Sequence, residues 1–101
     1  MKRVRFLELA DAEFEEAIGY FNRQVMGLGA RFEREVENTV ALIVEFPEIG
    51  SPLTKRIRKF RVRKFKYKII YALDADEIVI IAVAHHKKRP RYWRQRIPSK
   101  P

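Results

Sequence analysis

The run Glu77 to Ala84, EIVIIAVA, limits this chain more than any other stretch. From Ile78 onward it is apolar on both faces, so as a strand it has no side that tolerates water. It therefore demands a central place in a sheet, with material packed above and below. Its apolar part is far too short to cross a bilayer as a helix, and the chain holds no longer apolar run. Just upstream, Tyr67 to Leu73 (YKIIYAL) reads as a second strand, and Asp74-Ala75-Asp76 supplies a hairpin turn between the two.

Charge sets the next constraint. Lys55 to Lys68, KRIRKFRVRKFKYK, carries nine Lys or Arg and no acid. Phe60 and Val62 alternate with Lys59, Arg61 and Arg63, the period of two expected of a half-buried strand. Such a strand holds a row of cations on one face and anchors itself by the other. Nine like charges repel one another, a cost that solubility alone does not require, so the row is expected to be a binding surface. A solvated face is the plain alternative. Six further Lys or Arg lie in 85–96, whereas ten of the 13 acids fall between Glu8 and Glu48. With a net charge of +9, attraction to nucleic acid, ribosomes, anionic membranes or an acidic protein follows.

Those acids decorate two helices. Val4 to Leu9 reads as a short first strand, and Asp11 offers an N-cap, with Glu13, Glu15 and Glu16 near the positive end of the helix dipole. Phe14, Ala17, Ile18, Phe21 and Val25 form one apolar face. Gly27-Leu28-Gly29 interrupts the pattern, and a second helix turns Phe32, Val36, Val40, Ile43 and Phe46 inward until Pro47 stops it. So short a connection makes the pair an antiparallel hairpin. The outer faces, with Glu13, Glu16, Arg31, Glu35 and Glu37, are expected to be solvated. Glu48 to Thr54 reads as loop, and Pro90 opens a last helical turn in which Trp93 anchors the tail to the sheet and Tyr92 stays partly exposed.

These elements predict an α+β fold over a single domain, 1–101. A helical hairpin packs on a small twisted, mainly antiparallel sheet, in the order β-α-α-β-β-β with a short C-terminal helical turn. The absence of cysteine excludes disulfides and thiolate metal sites. The first residues lack the long apolar stretch of a signal peptide, so a cytoplasmic location is expected. His85 and His86 are adjacent and point to opposite faces of a strand, so they cannot share a metal there. Neither a metal nor another cofactor is expected, nor a membrane or small-molecule partner.

The order of elements resembles the RelE/ParE toxin superfamily of type II toxin–antitoxin systems. The resemblance is carried by Arg58-Lys59-Phe60-Arg61-Val62, by Phe65-Lys66-Tyr67-Lys68-Ile69-Ile70-Tyr71, by Ile80-Ile81-Ala82-Val83-Ala84-His85 and by Arg89-Pro90-Arg91-Tyr92-Trp93. It covers nearly the whole chain and implies a growth-arresting toxin neutralised by a cognate antitoxin. RelE-like members cleave mRNA on the ribosome, and for that activity the resemblance nominates Lys59, Arg61, Lys68, His85 and Tyr92. Lys68 stands where those ribonucleases usually carry Arg, which forks two hydrogen bonds to a phosphate that Lys meets as a point charge. ParE-like members inhibit DNA gyrase, and the FxYxIIY strand and the PxYW context look more like that branch.

A metal-free ribonuclease needs a base, cations around the phosphorane and an acid for the leaving oxygen. His85 or His86 could be base or acid, with Arg61, Arg63 and Lys68 as the phosphate clamp and Tyr92 stacked on a base. The bland alternative is that His85 ends a buried strand beside a solvated His86. As a surface for the antitoxin or the target, the candidates are Arg58, Lys59, Arg61, Arg63, Lys68, Lys88, Arg89, Tyr92, Trp93 and Arg96. A reading from another class is a plain nucleic-acid-binding module whose sheet tracks phosphates.

Overall fold

A computed structural model describes residues 2–97, so the ends of the expected 1–101 domain lie outside the described residues. The chain runs β1 (Arg3–Phe6), α1 (Glu8–Gln24), α2 (Leu28–Glu45), β2 (Ser51–Pro52), β3 (Ile57–Arg61), β4 (Tyr67–Leu73), β5 (Glu77–His85) and a closing 3-10 turn over Arg94–Arg96. The five strands form one sheet in the order β1-β5-β4-β3-β2. Only the β1–β5 pairing is parallel. The α+β architecture read from the sequence is therefore the observed one, with β2 as an added edge strand. Sequence reading had this stretch as loop. Pro52 fits an edge, where a missing N–H leaves no ladder bond unmade.

The doubly apolar run is buried from Ile78 through Ala84, and two separate cores explain why. Toward the helices, Ile78, Ile80 and Val83 join Phe32, Val36, Ile43, Ile69 and Tyr71. On the opposite face, Val79, Ile81 and Ala82 join Ile57, Ile70, Ala72 and Trp93. A register shift next to Ile70 and Tyr71 pairs them with Ala82 and Ile80, so Ile81 bulges out of the ladder. The helix-side core is largely aromatic. Phe32 lies 5.0 Å from both Phe21 and Phe65 and 4.9 Å from Tyr67, centroid to centroid.

Three local expectations change. The first strand ends at Phe6, and Leu7 rather than Asp11 begins the helix. The Leu7 N–H donates to Ile80 O at 2.9 Å, so the chain is still tied to the sheet when it turns into α1. Asp11 lies within the first turn, beside the positive end of the dipole. Val25 and Phe46, expected inward, are 59% and 53% exposed. Each is the C-cap of its helix, where the backbone has left the helical path and the apolar face no longer points at the sheet.

Two glycines mark close approaches. A Cβ on Gly29 would sit 2.4 Å from Ile18 O, so α1 and α2 touch through bare backbone there. Gly50 N–H donates to the Tyr71 hydroxyl at 3.0 Å, which in turn donates to Pro47 O at 2.8 Å, fixing the loop between α2 and β2. Among the described residues, no helix is long and apolar enough to cross a membrane.

Candidate partner-binding face

Strand alternation sorts the basic residues of β3 and β4. Lys59 pairs with Ile70 and Arg61 with Lys68, and Ile57 and Ile70 belong to the core on the side away from the helices. Lys59, Arg61 and Lys68 therefore share that face, with Arg61 and Lys68 as direct cross-strand neighbours. Lys59 and Arg61 are exposed and Lys68 half-buried. Among the described residues, none of the three forms an ion pair. Of the expected row, Lys59 and Arg61 stand here with Lys68 beside an apolar strip covered by Trp93, whereas Arg63 lies beyond the end of β3.

Arg58 belongs elsewhere. Its side chain alternates to the helix side, where Nη1 donates to Glu48 O at 3.0 Å and Gly50 O at 2.7 Å. It holds the loop before β2 and takes no part in the cationic row. Arg63, in the β3–β4 turn, and Lys88 and Arg89, after β5, are exposed at the margins of the sheet.

The tail arrives on this face through Trp93, which is 4% exposed, as the anchor reading expects. Tyr92 and Arg96 do something the sequence did not reveal. The Tyr92 hydroxyl donates to Glu13 Oε2 at 2.6 Å. Arg96 donates through Nη1 to Glu13 Oε1 at 2.8 Å and through Nη2 to Oε2 at 2.9 Å, a forked pair. Glu13 Oε1 also accepts the Val83 N–H at 3.0 Å, and Arg96 Nη1 donates to Ile81 O at 3.0 Å. The location explains this. β1 accompanies β5 only as far as Ile80, so the outer edge of β5 beyond it has no neighbouring strand. The Glu13–Arg96 pair occupies those edge groups in place of one.

Two expectations are thereby corrected. Arg96 is not a free cation for a partner, because the α1 carboxylate neutralises it. Glu13 is not a solvated helix residue but the centre of the network. Burial, and then the bond to Glu13 and its charge, push the Tyr92 phenol far above its ordinary pKa of 10. It stays protonated at any physiological pH. The Tyr92 ring also lies 5.4 Å from Lys88 Nζ and 5.0 Å from Arg96 Cζ, a cation near its face on each count.

His85 faces the helices. It pairs with Tyr67 across the ladder and meets that ring edge-on at 5.2 Å. Burial, then the positive neighbours His86, Lys87 and Lys66, hold its pKa below the usual 6.5. His85 borders a groove of about 570 Å³ between α1 and the ends of β4 and β5, with Glu16, Tyr20, Arg23 and Lys64 along its rim. The five ribonuclease candidates are thus not brought together. Lys59, Arg61 and Lys68 lie on the open face, His85 on the opposite one, and Tyr92 is tied to Glu13. Among the described residues, no group of three or more His, Asp or Glu is placed to hold a metal.

A search of curated protein sequences finds no significant match. Among solved structures, the chain is similar to one described as the chromosomal ParDE TA system from P. aeruginosa, with a TM-score of 0.73 at 10% identity, over 84% of this chain and 96% of that one. It is also similar to the YoeB dimer from Staphylococcus aureus, with a TM-score of 0.57 at 15% identity, over 84% and 97% of the two chains. At such identities these likenesses speak for the fold alone, a helical hairpin on a sheet. The family model of the ParE toxin of type II toxin–antitoxin system, parDE, matches residues 4–90, from the first strand to the turn that leads into Tyr92 and Trp93. With that match spanning most of its length, the chain belongs to the ParE toxin family.

Proposed function

We propose that this protein arrests growth by inhibiting DNA gyrase without catalysing a reaction of its own, and that a cognate antitoxin neutralises it in the cytoplasm by covering the open face. The observation behind this reading is that Lys59, Arg61 and Lys68 lie on the open face, while His85 lies across the sheet and the Tyr92 hydroxyl is tied to Glu13. A phosphate held by these cations would meet neither His85 nor Tyr92 as its base. Of the nominated groups, the Tyr92 phenol keeps its proton and the exposed His86 ring lies 3.3 Å from Lys66 O at the end of the sheet. A surface of fixed cations next to a rigid apolar anchor is instead suited to docking a macromolecule. Acidic extended antitoxin segments would find there both charge complement and an ordered sheet to fold upon.

A second reading, a ribosome-dependent mRNA endoribonuclease, draws on the direct opposition of Arg61 and Lys68, which makes a two-cation clamp of the right kind for one phosphate. The two readings separate in one experiment. Purified protein is added to a gyrase supercoiling reaction and, in parallel, to translating ribosomes. Loss of supercoiling with the mRNA left whole supports the first reading. Cleaved mRNA with normal supercoiling supports the second.

A further inference from the structure

The cations at one end of the sheet are not accounted for by the open face. Tyr67 pairs with His85, and the His86 N–H donates to Lys66 O at 2.9 Å, so the β3–β4 turn and the segment after β5 meet at the same end. Arg63, Lys64 and Lys66 from the first and Lys87 and Lys88 from the second are all exposed there. Among the described ion pairs, none involves these five. Of the nearest carboxylates, Glu13 is taken by Tyr92 and Arg96, which leaves Glu16 on the groove rim. The other end of β4 and β5, roughly 20 Å away at a strand's rise per residue, carries Asp74, Asp76 and Glu77. The sheet therefore has one pole of unpaired cations, while at the other Arg5 pairs with Glu77 and Arg56 with Asp74.

We infer that the cationic pole formed by Arg63, Lys64, Lys66, Lys87 and Lys88 binds the phosphate backbone of duplex DNA, without regard to sequence. A protein partner needs a cluster of apolar anchors at the centre of its contact, and among the described residues Tyr20 on the groove rim is the one exposed large apolar side chain beside these cations. A single strand needs exposed rings on which bases stack. Phe65 and Tyr67 instead point into the helix-side core, which leaves Tyr20 as a single ring where successive bases need several. Closely spaced phosphates with their bases hidden are what remains, and cations alone suffice for them. The choice of DNA over double-stranded RNA rests on the topoisomerase reading, but the binding measurement needs no topoisomerase, so the two can fail separately.

The test is fluorescence anisotropy of the purified full chain with a labelled DNA duplex across a salt series. The expected slope of log K against log salt is about −3 to −5, the signature of a few neutralised phosphates. The Arg63→Gln/Lys87→Gln variant brings that slope about two units closer to zero. The Arg3→Gln/Lys55→Gln variant, which removes the same charge from the far end of the sheet, leaves it in place. Equal loss in both variants would overturn the inference, because net charge alone would then explain the binding. No binding at low salt, tighter binding to single-stranded DNA or to duplex RNA, or displacement by polyglutamate at equal charge would each overturn it as well.

Discussion

Arg96 reaches Glu13 across 83 residues of sequence and grips both carboxylate oxygens, at 2.8 and 2.9 Å. The side chains are only 12% and 19% exposed, so water does little to screen the pair. Through it the first helix, the outer edge of β5 and the tail become one unit.

Removing the carboxylate leaves Arg96 poorly hydrated and unpaired, and leaves the Tyr92 hydroxyl and the Val83 N–H without their acceptor. Glu13→Ala is expected to lower stability by about 2–4 kcal/mol, since breaking one side of a largely buried pair costs more than losing a surface bridge. Tyr92→Phe, which removes only one neutral donor, costs about 1 kcal/mol. Urea denaturation checks both, and equal effects would mean that the charge pair is not the centre of the network.

Trp93 is the sole tryptophan, so it reports on its own burial. Native fluorescence is expected to be blue-shifted and shielded from iodide, moving to the red on unfolding. Trp93→Ala opens a cavity over Ile57, Ile70 and Ile81, and a loss of about 3–5 kcal/mol follows. Tail release would show as proteolysis after Lys87 to Arg91 under native conditions.

How much of this was legible in the sequence depended on the range of the physics involved. The run at 78–84 demanded two covering layers, and it has them, because apolarity on both faces is a local fact with one structural solution. The alternation of Lys59, Phe60 and Arg61 likewise placed the cations. Glu13 escaped because, at helical spacing, it looks like Glu16 one turn later. Its role comes from β1 stopping at Phe6, which bares the Val83 N–H, and from two tail residues far along the chain. Arg58, a candidate for the partner surface, instead shares the face of Phe60 and Tyr71. Strand alternation alone puts it there, whereas the carbonyls of Glu48 and Gly50 that it binds belong to a loop whose path no periodicity describes.

Acidity should weaken the fold through His85. Its folded pKa lies below the unfolded value, so the unfolded chain binds the extra proton first. The stabilisation is full above the ordinary pKa of 6.5 and is lost as the pH falls from there toward the folded value. Thermal unfolding at pH 7.5, 6 and 5 is expected to show a declining midpoint, and His85→Gln is expected to show a shallower decline. An unchanged decline in the variant would assign the effect to other groups.

The central claim is that the open cationic face acts by docking rather than by chemistry. It is tested most directly by gyrase supercoiling assays with the wild-type chain and the Lys59→Gln/Arg61→Gln/Lys68→Gln variant, each shown by circular dichroism to be folded. The account expects the wild type to block supercoiling and the variant to lose at least tenfold in potency. Undiminished inhibition by the variant, or a wild type that spares gyrase and cuts ribosome-bound mRNA, would contradict it.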